Sequence, residues 1–362
     1  MARVKDKVNY VVNLKNIWFP EQRDPDPEED KDLFISHWKR ERDRCTNGFT
    51  IADGQVYIPG WLYFHTVYWT IEIDKEFINP VTGKKTSAKS NGTPYLRDVE
   101  WMVSEDLERA QKEQKIYFVN SCRGIGKSFW ASSIIAQTYI FVKNSESIIS
   151  GGNNPDIAKL AEKVSLGLDN IHPVFHKQRI KNNWKLEVRS GWIDKSTGSA
   201  KGDNSRILMR NYDDGNNHQA TSGTRPLRQI IDETGKILNL IQCILTSMPS
   251  WMGDYGFFSL PCMFGTGGDQ EKGEDAGKIF NNPDLYNVLA FDDIWEGKNK
   301  IARFFPVTLG RNEYKEDWTL YKFLKEKFPE KYKDLKHHPD LDIIIKVSNE
   351  EKCMNEFVIP RR

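Results

Sequence analysis

From Lys115 onward the apolar positions fall in short blocks that switch between a period of two and a period of 3.6, the pattern of strands joined by crossover helices. Lys115-Ile116-Tyr117-Phe118-Val119 predicts a buried strand, the loop Ser121 to Gly126 follows, and Lys127 to Val142 predicts a helix with Trp130, Ile134 and Phe141 along one side. Ser147 to Ser150 predicts the next strand, and Pro155 opens a helix whose Ile157, Leu160, Ala161, Val164 and Leu168 share one face. Residues 181 to 211 predict an antiparallel ribbon: Trp184, Leu186 and Val188 alternate, Gly191 and Ser196 to Gly198 turn the chain, and Ile207-Leu208-Met209 forms a further strand. A short strand ending at Ile230-Ile231-Asp232-Glu233, a helix around Ile237 to Met248 and a strand to Phe264 come next. Further strands are expected at Leu285 to Phe291 and Ile301 to Val307, and Tyr314 to Leu335 reads as a helix of mixed charge.

Before Lys115 the chain has another character. Pro25-Asp26-Pro27-Glu28-Glu29-Asp30 is a loop, Asp32 to Arg44 a charged helix, and Gly60-Trp61-Leu62-Tyr63-Phe64 with Tyr68-Trp69 an aromatic core. The organisation expected is an aromatic-rich N-terminal extension over residues 1–90, a core over 91–310 and a lid or linker over 311–362. No internal repeat and no low-complexity block interrupts it.

Composition removes several classes of function. No segment holds eighteen uncharged apolar residues and the N-terminus lacks an apolar signal core, so neither membrane insertion nor secretion is expected. The five cysteines are odd in number and widely spaced, without zinc-ligand spacing. Lys plus Arg, at 52, balances Asp plus Glu, at 51, so attraction to a polyanion has to come from local clustering. One such cluster holds Lys177, Arg179, Lys181, Lys185, Arg189, Lys195, Lys201, Arg206 and Arg210; it permits phosphate contact and is equally the pattern of a solvated face.

The chemistry concentrates at three places. Ser121-Cys122-Arg123-Gly124-Ile125-Gly126-Lys127-Ser128 matches the phosphate-binding Walker A pattern except that Ser121 stands where its first glycine is expected. Gly124 and Gly126 let backbone N–H groups point inward, Lys127 reaches the outer phosphates and Ser128 offers a hydroxyl to magnesium. The helix that follows adds its positive dipole end. About a hundred residues on, Asp232 and Glu233 end a strand: the aspartate suits the magnesium shell and the glutamate suits orienting and polarising a water, although Arg228 and Gln229 dilute the apolar run before them. Gly265-Thr266-Gly267-Gly268 follows the next strand and places a hydroxyl at Thr266 to sense the γ-phosphate, with glycines to pass that state on. The charge that builds on a transferred phosphoryl group also calls for an arginine, and Arg123 and Arg225 are the candidates. These residues predict an α/β P-loop NTPase of the ASCE or RecA-like kind, a mostly parallel sheet flanked by helices, that binds ATP and Mg2+.

Taken together, the motifs resemble the ATPase domain of phage large terminase subunits over roughly residues 90 to 310. That family often carries an arginine four positions before the P-loop lysine, here Arg123, and lacks the first glycine; Asp232-Glu233 and a GTGG coupling motif, here Gly265 to Gly268, continue the match. Its adenine-contacting motif lies upstream of the P-loop, where Pro94-Tyr95-Leu96-Arg97-Asp98 stands here, with Tyr95 and Arg97 as the counterparts and no glutamine. The resemblance implies an ATP-driven motor that moves double-stranded DNA into a procapsid. It further implies a pentameric ring at the portal vertex in the infected bacterial cytoplasm, with portal protein and a small terminase subunit as partners. Large terminases add an RNase H-like nuclease domain, which would begin about where this sequence stops, near Asn355 to Pro360, so no DNA cutting is expected from this chain. Two other readings share part of the pattern: another P-loop nucleic-acid motor such as a helicase, and a nucleotide-dependent switch or scaffold with negligible turnover.

Overall fold

The computed structural model describes residues 15, 18–19, 24–78, 83, 85–266, 272–293, 299–306 and 314–348. Helix α1 (Lys31–Asn47) starts where Asp30 accepts a hydrogen bond from the Leu33 N–H at 2.9 Å, satisfying one of the amides that a helix start leaves without a partner. A small hairpin, β1 (Phe49–Ile51) and β2 (Val56–Ile58), leads to α2 (Gly60–Val67), every residue of which is buried. The ribbon β3 (Ile71–Ile78) and β4 (Lys85–Gly92) and the helix α3 (Asp98–Glu113) complete the N-terminal third.

The rest is built on one large sheet. In chain order its strands and helices are β5 (Tyr117–Ser121), α4 (Lys127–Phe141), β6 (Glu146–Gly151), α5 (Asn154–Asn170), β7 (Arg179–Asn183), β8 (Glu187–Ser190), β9 (Arg206–Asn211), β10 (Arg228–Asp232), α6 (Leu240–Trp251), β11 (Leu260–Gly265), α7 (Glu274–Asn281) and β12 (Arg303–Phe305). The eight strands lie in the order β12-β5-β11-β10-β6-β9-β8-β7. All neighbours from β12 to β9 pair in parallel, and at one edge β8 pairs antiparallel with β9 and β7 antiparallel with β8. The strand carrying the P-loop is thus separated from the carboxylate strand β10 by β11, the arrangement of an ASCE-type P-loop fold. Beyond the sheet, β13 (Tyr314–Thr319) and β14 (Ile344–Ser348) pair antiparallel around α8 (Leu320–Lys327).

The aromatic N-terminal segment packs on the helix behind the phosphate loop. Trp61 Nε1 and His65 Nδ1 each lie 2.9 Å from Ser133 Oγ, Trp69 Nε1 donates to Ser132 Oγ, and Phe64 meets Phe141 edge to face. One apolar cluster runs from Trp18 through α4 to Val347, so the core is continuous across the boundaries expected near residues 90 and 310. Helix α4 accordingly is buried all round rather than along the single stripe of Trp130, Ile134 and Phe141.

Several local expectations change for identifiable reasons. Trp184 and Leu186 lie in the turn between β7 and β8, with Leu186 largely exposed, and β9 pairs in parallel with β6 as well as antiparallel with β8. Pro283 starts a short 3-10 turn over Pro283–Tyr286, so the strand expected over Leu285 to Phe291 is reduced to a parallel bridge at Val288 and the two-residue strand Phe291–Asp292. Tyr314–Thr319 is a strand, and the helix begins only at Leu320, where the Thr319 hydroxyl accepts from the Lys322 N–H. Gln229, which dilutes the carboxylate strand, is fully buried yet satisfied: Trp251 Nε1 donates to its carbonyl and its amide donates to Tyr212 Oη, both at 2.8 Å. The basic cluster is partly neutralised, since Lys177, Arg179, Lys181 and Arg206 pair with Asp203, Asp169, Glu187 and Glu146. Among the described residues no helix is long and apolar enough to cross a membrane.

Candidate nucleotide-binding and catalytic site

Parallel strands open a crevice beyond their carboxyl ends, and the three sequence-predicted motifs meet there. Asp232 of β10 is in register with Phe264 of β11, and Phe264 with Val119 of β5. With about 4.8 Å between neighbouring strands, the P-loop and the carboxylates leave the sheet roughly 10 Å apart.

The loop Cys122 to Gly126 joins β5 to α4. Gly124 and Gly126 have φ of 85° and 115°, a left-handed backbone that favours glycine. Lys127 is buried, and its ammonium donates to Ser121 O at 3.2 Å, Ser121 Oγ at 3.1 Å and Cys122 O at 2.9 Å, folding the side chain back onto its own loop. Burial lowers its pKa, while the nearby charges of Glu233 and Asp232 act in the opposite sense. Ser121, in place of the missing glycine, thus adds a hydroxyl to the carbonyls that hold the lysine. Ile125 is buried beneath the loop and Cys122 is half-buried. Arg123 is exposed, and neither it nor the half-buried Ser128 hydroxyl has a hydrogen-bond partner among the described residues.

Asp232 is 8% exposed, and its hydrogen bond among the described residues is from the Glu233 N–H at 3.0 Å. Burial, and then the charge of Glu233 beside it, push its carboxyl up to about 6. Glu233 has φ of 52°, a strained conformation for a side-chain-bearing residue that costs about 1 kcal/mol or more and collects at functional sites. It turns the glutamate off the line of β10 and begins the 3-10 turn Thr234–Lys236. Thr266 Oγ1 donates to Glu233 Oε2 at 2.9 Å, tying the end of β11 to the glutamate. A Cβ on Gly265 would lie 2.6 Å from Thr234 Oγ1, so this close approach needs glycine. Gly267 lies outside the described residues.

A buried carboxyl whose ionisation its surroundings oppose, and a serine hydroxyl at a helix start with no hydrogen-bond partner among the described residues, form a pair of hard oxygen donors. These residues fit a magnesium ion bound together with phosphate oxygens; Ser128 and Asp232 would hold it.

The remaining candidates fall elsewhere. Arg97 Nη2 donates to Ile125 O at 2.9 Å, and its guanidinium pairs with the buried Glu100, which also accepts from Trp130 Nε1 at 3.1 Å. Arg97 therefore braces the P-loop from behind. Lys346 Nζ lies 4.4 Å over the Tyr95 ring, Arg97 forms a parallel bridge with Lys346, and Asp98 accepts from the Ser348 N–H and hydroxyl. The C-terminal hairpin thus docks on the segment that supports the loop. Arg225 is not brought to the site: its N–H donates to Glu146 at the opposite end of β6, its Nη2 to Met252 O, and its guanidinium lies 4.9 Å over Phe258. The five residues of β10, at about 3.3 Å each, separate it from Asp232. Two site residues escaped sequence reasoning, Asp156 and Lys236. Lys236 Nζ lies 3.1 Å from Asp156 Oδ2 and 3.8 Å from Glu233 Oε2; a basic residue three positions after the glutamate was the available signal.

No protein-family model matches the chain, and no curated protein does. Among solved structures it is similar to the Thermus phage P74-26 large terminase ATPase domain, with 15% identity and a TM-score of 0.34 over 48% of this chain and 70% of that one. It is also similar to the HK97 bacteriophage large terminase, with 14% identity and a TM-score of 0.36 over 57% of this chain and 41% of the other. A third similarity, to the large terminase of a thermophilic bacteriophage, has 10% identity and a TM-score of 0.38 over 70% and 54%. At these identities and TM-scores the chemistry of the site is read from the residues of this chain alone.

Proposed function

We propose that this chain is the Mg-dependent, ATP-hydrolysing motor domain of a viral large terminase, which moves double-stranded DNA into a procapsid. The observation that carries the reading is the hydrogen bond from Thr266 to Glu233 beside a P-loop in which Ser121 stands in place of the first glycine. It joins the phosphate-sensing strand end to the water-polarising carboxylate, the linkage a motor needs between nucleotide state and movement.

In this mechanism Lys127 leaves the carbonyls of its own loop for the outer phosphates, and the inward N–H groups of the loop with the start of α4 hold the β-phosphate. Ser128 and Asp232 would hold magnesium, which when bound would supply positive charge to the phosphate oxygens. Glu233 orients a water in line with the γ-phosphorus and takes its proton as the new P–O bond forms and the bond to the bridging oxygen breaks, leaving ADP and phosphate. Arg123, exposed and without a hydrogen-bond partner among the described residues, meets the charge that develops on the phosphoryl oxygens. Thr266 then reports the loss of phosphate to the chain that follows β11.

The partners belong to the same reading: duplex DNA, a portal protein, a small terminase subunit, and further copies of this chain in a pentameric ring at the portal vertex in the infected bacterial cytoplasm. Tyr95 is assigned to the adenine side of the pocket, and Arg225, remote from its own site, to contact with a neighbouring copy. The test is ATP turnover with magnesium, with and without duplex DNA, for the native chain, Glu233→Gln and Lys127→Ala. Glu233→Gln should bind ATP without turning it over, and Lys127→Ala should bind it poorly. Turnover by Glu233→Gln at the native rate would remove the catalytic assignment.

A further inference from the structure

Lys236 carries no motif of its own, yet the fold aims it at the catalytic end of the sheet. The turn Thr234–Lys236 closes with the Lys236 N–H donating to Glu233 O at 2.9 Å, which brings the lysine back over the glutamate. Its ammonium is 3.1 Å from Asp156 Oδ2 and 3.8 Å from Glu233 Oε2. Asp156 is a fixed anchor: it sits in the first turn of α5, its N–H donates to Asn153 Oδ1 at 2.9 Å, and Asn153 Nδ2 donates to its Oδ2 at 3.0 Å. Burial pushes the Asp156 carboxyl up, but the hydrogen bonds from Lys236 and Asn153 outweigh it and leave the group below the ordinary carboxylate value. Thr266 Oγ1 engages Glu233 at Oε2 as well, at 2.9 Å. Both contacts therefore fall on one carboxylate oxygen, and Oε1 has no partner among the described residues.

We propose that Lys236, braced by Asp156, is a positioning residue for hydrolysis: with Thr266 it holds Glu233 by Oε2 and so presents Oε1 to the attacking water. The inference rests on the ATPase reading of this site. The water oxygen bonds to the γ-phosphorus, its proton passes to Glu233 Oε1, and the electron pair of the breaking bond stays with ADP. Lys236 touches neither substrate nor water. Its contribution is the orientation of the base, and a misplacement of about an ångström at such a group costs up to roughly a hundredfold in rate.

The experiment measures kcat for magnesium-ATP and the Kd of a fluorescent ATP analogue for the native chain, Lys236→Met, Lys236→Arg and Asp156→Asn, with thermal melting of each. Lys236→Met should lower kcat about 10- to 100-fold with Kd within about twofold of native. Lys236→Arg should recover most of that loss, and Asp156→Asn, which keeps the shape of the anchor but not its charge, should lower kcat several-fold at unchanged Kd. A merely structural lysine would instead weaken binding and melting together, without recovery by arginine, and that result overturns the inference. So does a kcat for Lys236→Met within twofold of native. A native chain that fails to turn over magnesium-ATP at any protein concentration would remove the ATPase reading itself, an outcome separate from native turnover with an unaffected Lys236→Met.

Discussion

Arg97 offers a quantitative test of how the P-loop is held, because one guanidinium does two separable jobs. It donates to Ile125 O at 2.9 Å, and it pairs with Glu100, which is 1% exposed and otherwise accepts from Trp130 Nε1 at 3.1 Å. Arg97→Ala leaves Glu100 as an uncompensated buried charge, which costs about 3–5 kcal/mol of folding stability. It also releases the Ile125 carbonyl from a charge-assisted hydrogen bond worth about 1.5–3 kcal/mol. If that amount is transmitted to the loop, nucleotide affinity falls roughly 10- to 100-fold, since each 1.4 kcal/mol is about tenfold. The two effects separate in Arg97→Met with Glu100→Gln, where the buried charge is gone: most of the stability returns and the affinity stays low. The assay is urea unfolding alongside titration with a fluorescent ATP analogue. An Arg97→Ala protein that is less stable but binds nucleotide within twofold of native would refute the bracing role.

Other expectations follow from the same geometry. Arg123→Ala should leave melting within about 0.5 kcal/mol of native, as for an exposed residue without hydrogen-bond partners among the described residues, yet lower turnover by about 10^3-fold or more if it serves as the transition-state cation; Arg225→Ala should leave the turnover of isolated chains unchanged. Gly265→Ala should destabilise by about 1–3 kcal/mol and impair turnover, since its Cβ would lie 2.6 Å from Thr234 Oγ1 beside Glu233; native melting and rate would contradict the close approach. His65 is fully buried, and burial, with the charge of Arg97 second, depresses its pKa from 6.5 to about 3. Its unfolded form binds the proton first, so the stability it contributes is present above about pH 6.5 and is lost as pH falls toward the folded value. From pH 7 to pH 5 this amounts to about 2 kcal/mol at 1.36 kcal/mol per unit; chemical denaturation should show a pH dependence smaller by that amount in His65→Asn, and equal slopes would count against a neutral buried imidazole.

What could be read from the sequence follows the distance over which each residue finds its partners. The P-loop, Asp232-Glu233 and Thr266 carry chemistry in contiguous residues, so their order and the strands before them sufficed to place them on one sheet edge. Gln229 looked like a flaw in the carboxylate strand because its partners, Trp251 and Tyr212, lie 22 and 17 residues away, and only the fold turns a buried amide from a cost into a satisfied network. Arg97 stood in the place of an adenine contact, but Ile125, 28 residues on, claims it for the loop. Asp156 and Lys236, 80 residues apart, were invisible for the same reason. A charge in a polar stretch is read as solvated until a second chain segment covers it, and here that segment is the turn that follows Glu233. The parallel sheet brings the start of α5 and the end of β10 to the same edge, so the topology that gathers the P-loop, Asp232-Glu233 and Thr266 also recruits a charge pair that neither segment announces alone.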